Sequence, residues 1–186
     1  QVEIKLHPAA TAKVNVQVEL DMPKNIKPEE VCIKTTIYNP AGKEICTVTN
    51  NSLSRFDEGV VNQQFVVENP RLWTAETPDL YNLEVRAFDA KGQCCKANLD
   101  FGFRTVEIKG KQVLVNGKPV LFKGVNRHEL STTGGFVVSR EEMIRDIRLM
   151  KELNINAVRT AHYPNNPEWY KLCNEHGLYL VDEANI

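Results

Sequence analysis

Three clusters of polar side chains in the second half of this 186-residue sequence carry the residue types for chemistry. They are Asn126, Arg127, His128 and Glu129; Arg159, Thr160 and His162; and Asp182, Glu183 and Asn185. Amide, guanidinium, imidazole and carboxylate groups set together can hydrogen-bond a polar ligand and stabilise charge that develops on it. Each cluster follows a short apolar run that reads as a strand. In a (β/α) barrel or an open α/β sheet, the carboxyl ends of the parallel strands are where ligands bind. One such cluster carries little information, because loops are polar anyway. Three in register define a candidate site.

The elements that must position them follow from periodicity. Val120-Leu121-Phe122, continuing to Val125, reads as a first apolar strand. Ser139-Arg-Glu-Glu142 is a capping box that opens a helix, with Met143, Ile147, Met150 and Leu153 at helical spacing on one face. Ala157-Val158 reads as the second strand. Asn166-Pro167 makes an N-cap and first-turn pair, Trp169, Leu172, Cys173 and His176 share one side of a second helix, and Gly177 fits a left-handed stop. Leu178 to Val181 is the third strand. Strand–helix–strand–helix–strand with short apolar strands is a parallel βαβαβ unit.

Before about Thr105 the period is two. Val14, Val16, Val18 and Leu20 fall on one strand face, and Val31, Ile33, Thr35 and Ile37 repeat the pattern. Val60 to Val67, Tyr81 to Phe88 and Cys94 to Phe101 do likewise, separated by turns such as Asn39-Pro40-Ala41-Gly42. About seven short antiparallel strands in ~100 residues predict an immunoglobulin-like β-sandwich. The expected organisation is thus a sandwich over 1–103 and an α/β segment over 104–186. Two tight turns open the latter, at Lys109-Gly110-Lys111 and Asn116-Gly117.

A composition of 42% hydrophobic and 25% charged residues is that of an ordinary globular protein. The net charge of −1 gives no electrostatic reason to expect nucleic acid or an anionic membrane as partner. No apolar run approaches the ~20 residues of a membrane span. Five cysteines without paired metal-ligand spacing predict thiols that are mostly buried, and no metal site.

The motifs Gly124-Val-Asn-Arg-His-Glu129, Arg159-Thr-Ala-His-Tyr-Pro164 and Val181-Asp-Glu-Ala-Asn-Ile186 resemble the first three strand ends of the catalytic barrel of glycoside hydrolase family 2. Pro70-Arg-Leu-Trp73, Pro78-Asp-Leu-Tyr81 and Phe101-Gly-Phe-Arg104 resemble the close of that family's immunoglobulin-like domain. Among its members the chain is most similar to the large bacterial β-galactosidases. The resemblance implies an incomplete (β/α)₈ (TIM) barrel, of which these residues supply the first three strands and two helices. It also implies retaining hydrolysis of terminal β-galactosides by a homo-oligomeric parent, with both catalytic glutamates on later strands. Mg²⁺, with Na⁺ as a further candidate, is the expected cofactor of that parent, its ligand lying just past residue 186.

By the same resemblance, His128 and His162 contact sugar hydroxyls and stabilise an oxocarbenium-like transition state. Arg159 holds the nucleophilic carboxylate ionised, since an adjacent guanidinium lowers a carboxylate pKa. From their position alone, Asn126 and Glu129 either line the site or are polar groups satisfied structurally. Asp182 and Glu183 read as supporting groups, Trp73 as an interdomain anchor rather than a sugar platform, and His176 as a helix-end residue. Arg140, Glu141, Arg145 and Lys151 read as a solvated helix face. The 186 residues alone are expected to be inactive and to self-associate through an uncovered sheet edge. Two alternatives stay open: a related β-glucuronidase or β-mannosidase, and a non-enzymatic carbohydrate-binding or interaction module.

Overall fold

The computed structural model describes residues 2–7, 11–21, 26–51, 60–92 and 94–185. They form two compact units, Gln1–Arg71 with Leu80–Thr105, and Leu72–Asp79 with Val106–Ile186.

The first unit holds seven strands: β1 (Val2–His7), β2 (Thr11–Glu19), β3 (Cys32–Tyr38), β4 (Glu44–Asn51), β5 (Val60–Glu68), β6 (Tyr81–Phe88) and β7 (Cys94–Phe101). They build two antiparallel sheets with the orders β1-β2-β5 and β4-β3-β6-β7. Constant-type immunoglobulin domains place four strands on the first sheet and three on the second. Here β4 pairs with β3, Thr35 opposite Val48, so the division is three and four. Alternation directs one face of each strand inward. Val61, Gln63, Phe65 and Val67 of β5 are buried in strict turn; Ile33, Thr35 and Ile37 of β3 are buried too, with Thr36 between them buried as well. The Tyr81 ring meets Phe103 edge-on at 4.7 Å, and its hydroxyl accepts a hydrogen bond from the Arg71 amide at 2.9 Å.

The second unit begins with a three-stranded meander, β8 (Val106–Lys109), β9 (Gln112–Val115) and β10 (Lys118–Pro119). Asn116 and Gly117 turn β9 into β10 with φ of 53° and 74°, the left-handed pair that such a hairpin requires. Then come β11 (Gly124–Arg127), α1 (Arg140–Glu152), β12 (Ala157–Thr160), α2 (Pro167–His176) and β13 (Tyr179–Val181). The strands make a parallel sheet in the order β11-β12-β13. Both helices are closed as their sequences require. Ser139 Oγ accepts from the Glu142 amide while Glu142 Oε2 accepts from the Ser139 amide. Asn166 Oδ1 caps α2, and Gly177 ends it at φ 75°.

One core joins sheet and helices: Met143, Ile147, Met150, Val158, Trp169, Leu172, Cys173 and Leu178. Burial pushes the Cys173 thiol up to about 12, so it is an unreactive packing group. Leu72–Asp79 packs on this unit as a strap. The Trp73 indole is buried, donates to Asn174 O at 2.9 Å and meets Tyr179 edge-on at 5.6 Å. Lys151 Nζ donates to both Ala75 O and Gly177 O.

Several sequence expectations shift. The first parallel strand starts at Gly124 rather than Val120. The Val120 amide still bonds the meander at Val113 O, and the Asn156 side-chain amide occupies Leu121 O and the Lys123 amide. Leu153 lies past the end of α1 and is 63% exposed. Lys151 is exposed, as read from sequence, and its Nζ also ties the strap. Of the cysteines whose side chains are described, only Cys173 is buried; Cys95 is exposed, and Cys32 and Cys46 lie at intermediate depth. The side chain of Cys94, and Ile186 at the end of the third motif, lie outside the described residues. Among the described residues, no helix is long and apolar enough to cross a membrane.

Candidate active site

Period two divides the three parallel strands into two faces. Val125, Val158 and Leu180 are paired across the sheet and pack into the helix-side core. The next row, Asn126, Arg159 and Val181, therefore faces the other way. Arg127 returns to the helix side. Its guanidinium carbon sits 3.8 Å from the Trp169 ring centroid, Nε bonds Asp146 at 3.0 Å and Nη1 bonds Asn165 at 3.1 Å. Buried and paired this way, Arg127 is a structural cation.

His128 follows on the Asn126 side and meets His162 edge-on, ring centroids 5.3 Å apart, with Tyr163 at 6.3 Å. Arg159 Nη2 lies 2.7 Å from Glu183 Oε2, a contact whose angle makes it an ion pair rather than an aligned hydrogen bond. The same carboxylate reaches His162 Nδ1, at 3.3 Å from Oε2 and 3.4 Å from Oε1. Two imidazoles, a guanidinium and a carboxylate thus converge beyond β11, β12 and β13. Asn126 is exposed, one strand from Arg159 and opposite it in register.

A hydrogen-bond relay fixes the third strand end beneath this cluster. The Asn165 amide donates to Tyr170 Oη, Tyr170 Oη to Asp182 Oδ1, and Thr160 Oγ1 to the same Asp182 oxygen. The Glu183 amide then donates to Thr160 Oγ1 at 3.0 Å. Burial, and next the bond to Asp182, push the Tyr170 hydroxyl above its ordinary range, so it stays a neutral donor. Glu129 is drawn out of the cluster: its Oε1 accepts from the Asn166 amide at the start of α2.

The structure therefore brings His128, His162 and Arg159 together and places Asn126 on their strand row. Glu183, read from sequence only as support, stands at the centre. Period two counted on from Val181 carries the signal, since it puts Glu183 with the Arg159 row and Asp182 with the helices. Trp73 is held inside its own unit and offers no ring face to a sugar. Among the described residues, no group of three or more His, Cys, Asp or Glu is placed to hold a metal ion.

Two family models match the chain: "Glycosyl hydrolases family 2" over residues 1–104, and "Glycosyl hydrolases family 2, TIM barrel domain" over residues 106–186. A curated β-galactosidase of Alteromonas mediterranea is 51% identical over 77% of this chain and 14% of its own length. One of Halalkalibacterium halodurans is 43% identical over 88% of the chain and 16% of its own length. The chain thus spans about one seventh of these relatives. Among solved structures, a β-glucuronidase of Parabacteroides merdae superposes with a TM-score of 0.88 at 25% identity, covering 98% of this chain and 23% of that one.

Proposed function

Because the chain belongs to glycosyl hydrolase family 2, we propose that it supplies the sandwich and the first part of the catalytic face of a retaining β-galactosidase. The observation that carries this reading is the convergence of His128, His162 and Arg159 where the three parallel strands end. In a retaining mechanism, two carboxyl groups about 5 Å apart act as acid/base and nucleophile through a covalent glycosyl intermediate. Neither carboxyl is assigned to these 186 residues. Glu129 and Asp182 are occupied in fixing the scaffold, and Glu183 is paired with Arg159.

The chain's own residues supply binding and charge. His128 and His162 hydrogen-bond sugar hydroxyls, contacts that strengthen as positive charge develops on the ring. Arg159 turns the donors that Glu183 leaves unused toward the nucleophilic carboxylate and keeps it ionised. Asn126 adds a neutral amide to the same row. A galactoside is favoured because the curated relatives at 43% and 51% identity are β-galactosidases, whereas the β-glucuronidase structure stands at 25%.

Rates of the full-length enzyme on matched nitrophenyl β-galactoside, β-glucuronide and β-mannoside, with and without Mg²⁺, test the reading. Preference for the galactoside is the expected outcome. Preference for another glycone would leave the mechanism and overturn the substrate. No turnover of any would favour a binding module, which calorimetry with galactose and lactose would then reveal. The 186-residue polypeptide made alone is expected to turn over none of the three. The resemblance also supports a homo-oligomeric parent, which light scattering on the full-length enzyme checks.

A further inference from the structure

We propose that Glu183 is a positioning residue for the glycosidase reaction: its carboxylate holds the Arg159 guanidinium and the His162 imidazole in their working geometry, a role that rests on the reading above. One oxygen, Oε2, lies 2.7 Å from Arg159 Nη2 and 3.3 Å from His162 Nδ1, tying the end of strand β12 to the loop beyond it. A histidine nitrogen turned to a carboxylate decides which ring nitrogen is left for a ligand. With Nδ1 on Glu183, the nitrogen that faces away is Nε2. Arg159 is held by charge rather than by an aligned bond: its Nη2 stays 2.7 Å from Oε2, and because a guanidinium is a rigid fork, anchoring that end limits where its remaining donors can reach.

Glu183 can do this because it is itself held. Its amide is locked to Thr160 Oγ1, whose own proton goes to Asp182, which Tyr170 holds from the other side. Its side chain is 27% exposed, against 38% for Arg159 and 64% for His162, so it forms the floor of the cluster. A floor carboxylate that touches both upper groups while its backbone is fixed is the arrangement that transmits scaffold rigidity to a reacting centre.

The test uses the full-length enzyme with Glu183→Gln, which keeps the shape and removes the charge, and Glu183→Asp, which keeps the charge and shortens the reach. Misplacing Arg159 and His162 weakens contacts that matter most in the transition state. Glu183→Gln is therefore expected to lower kcat about 10–100-fold while KM for nitrophenyl β-galactoside stays within about threefold. Glu183→Asp should recover part of the loss. Crystal structures of wild type and Glu183→Gln should show the His162 ring and the Arg159 plane displaced in the variant. Unchanged kcat and KM in a folded Glu183→Gln enzyme would overturn the proposal. So would a wild-type structure with the carboxylate beyond about 4 Å from both partners. A Glu183→Gln chain that does not fold would replace positioning by a purely structural role. If the wild type cleaves no β-galactoside, the glycosidase reading falls, and side-chain positions in the two crystal structures decide the role of Glu183 alone.

Discussion

Arg127 and His128 share a peptide bond, yet the strand's alternation sends the guanidinium to Trp169 and Asp146 and leaves the imidazole beside His162. Their substitutions should separate accordingly. Arg127→Met keeps bulk over the indole but strips partners from Asp146 and from the buried Asn165 side chain. Urea unfolding should show a loss of about 1–3 kcal/mol. Steady-state rates of the folded enzyme should change little. His128→Ala should leave urea unfolding nearly unchanged and lower kcat/KM of the full-length enzyme by about 10²–10³-fold. The polar clusters themselves were legible in the sequence. Which member faces the helices was not, because that depends on strand phase, and the first strand begins four residues later than its apolar run. Asn156 captures that run with a side chain, a long-range event that no local pattern records.

Helix ends were the most legible elements, since a cap is a local bargain between neighbouring residues. Ser139, Glu142, Asn166, Pro167 and Gly177 all sit where their chemistry places them. The Glu142 carboxyl is held below its usual range by the Ser131 hydroxyl first, and then by the Ser139 amide and hydroxyl. Its folded pKa is below its unfolded one, so its contribution to stability is present above the unfolded value of about 4.3 and is lost as pH falls through the folded value. Thermal melts from neutral to acid pH should therefore fall less steeply in Glu142→Gln than in wild type. Gly177 has a second constraint invisible in sequence: a Cβ there would stand 2.3 Å from Ala75 O of the strap. With the left-handed φ as well, Gly177→Ala should cost about 2 kcal/mol or more in urea unfolding. Ordinary C-cap glycines without a crossing strap lose less.

For the whole molecule, both architectures followed from period alone: two for the sandwich, and strand–helix alternation for the barrel segment. Details that depend on distant pairing did not, such as β4 joining the second sheet. The parallel sheet has a physical consequence for a 186-residue polypeptide made by itself. Among the described residues, β11 and β13 each pair on one side only, and Leu121 and Val181 are 77% and 50% exposed. Unpaired strand edges beside apolar surface recruit further strands. Multi-angle light scattering is expected to give a mass above the monomer that rises with concentration, and a concentration-independent monomer would contradict it.

The strap also sets a clock. Trp73 donates its indole proton to Asn174, 101 residues further along the chain. A ribosome adding roughly 5–20 residues per second needs about 5–20 s to cover that separation. For that interval the largest apolar side chain of the strap has been made, but its binding surface has not. β6 and β7 are synthesised in between and can pair with each other, and β6 with β3, while Trp73 waits. The nascent chain thus carries an unburied tryptophan while the strands of the sandwich can already pair.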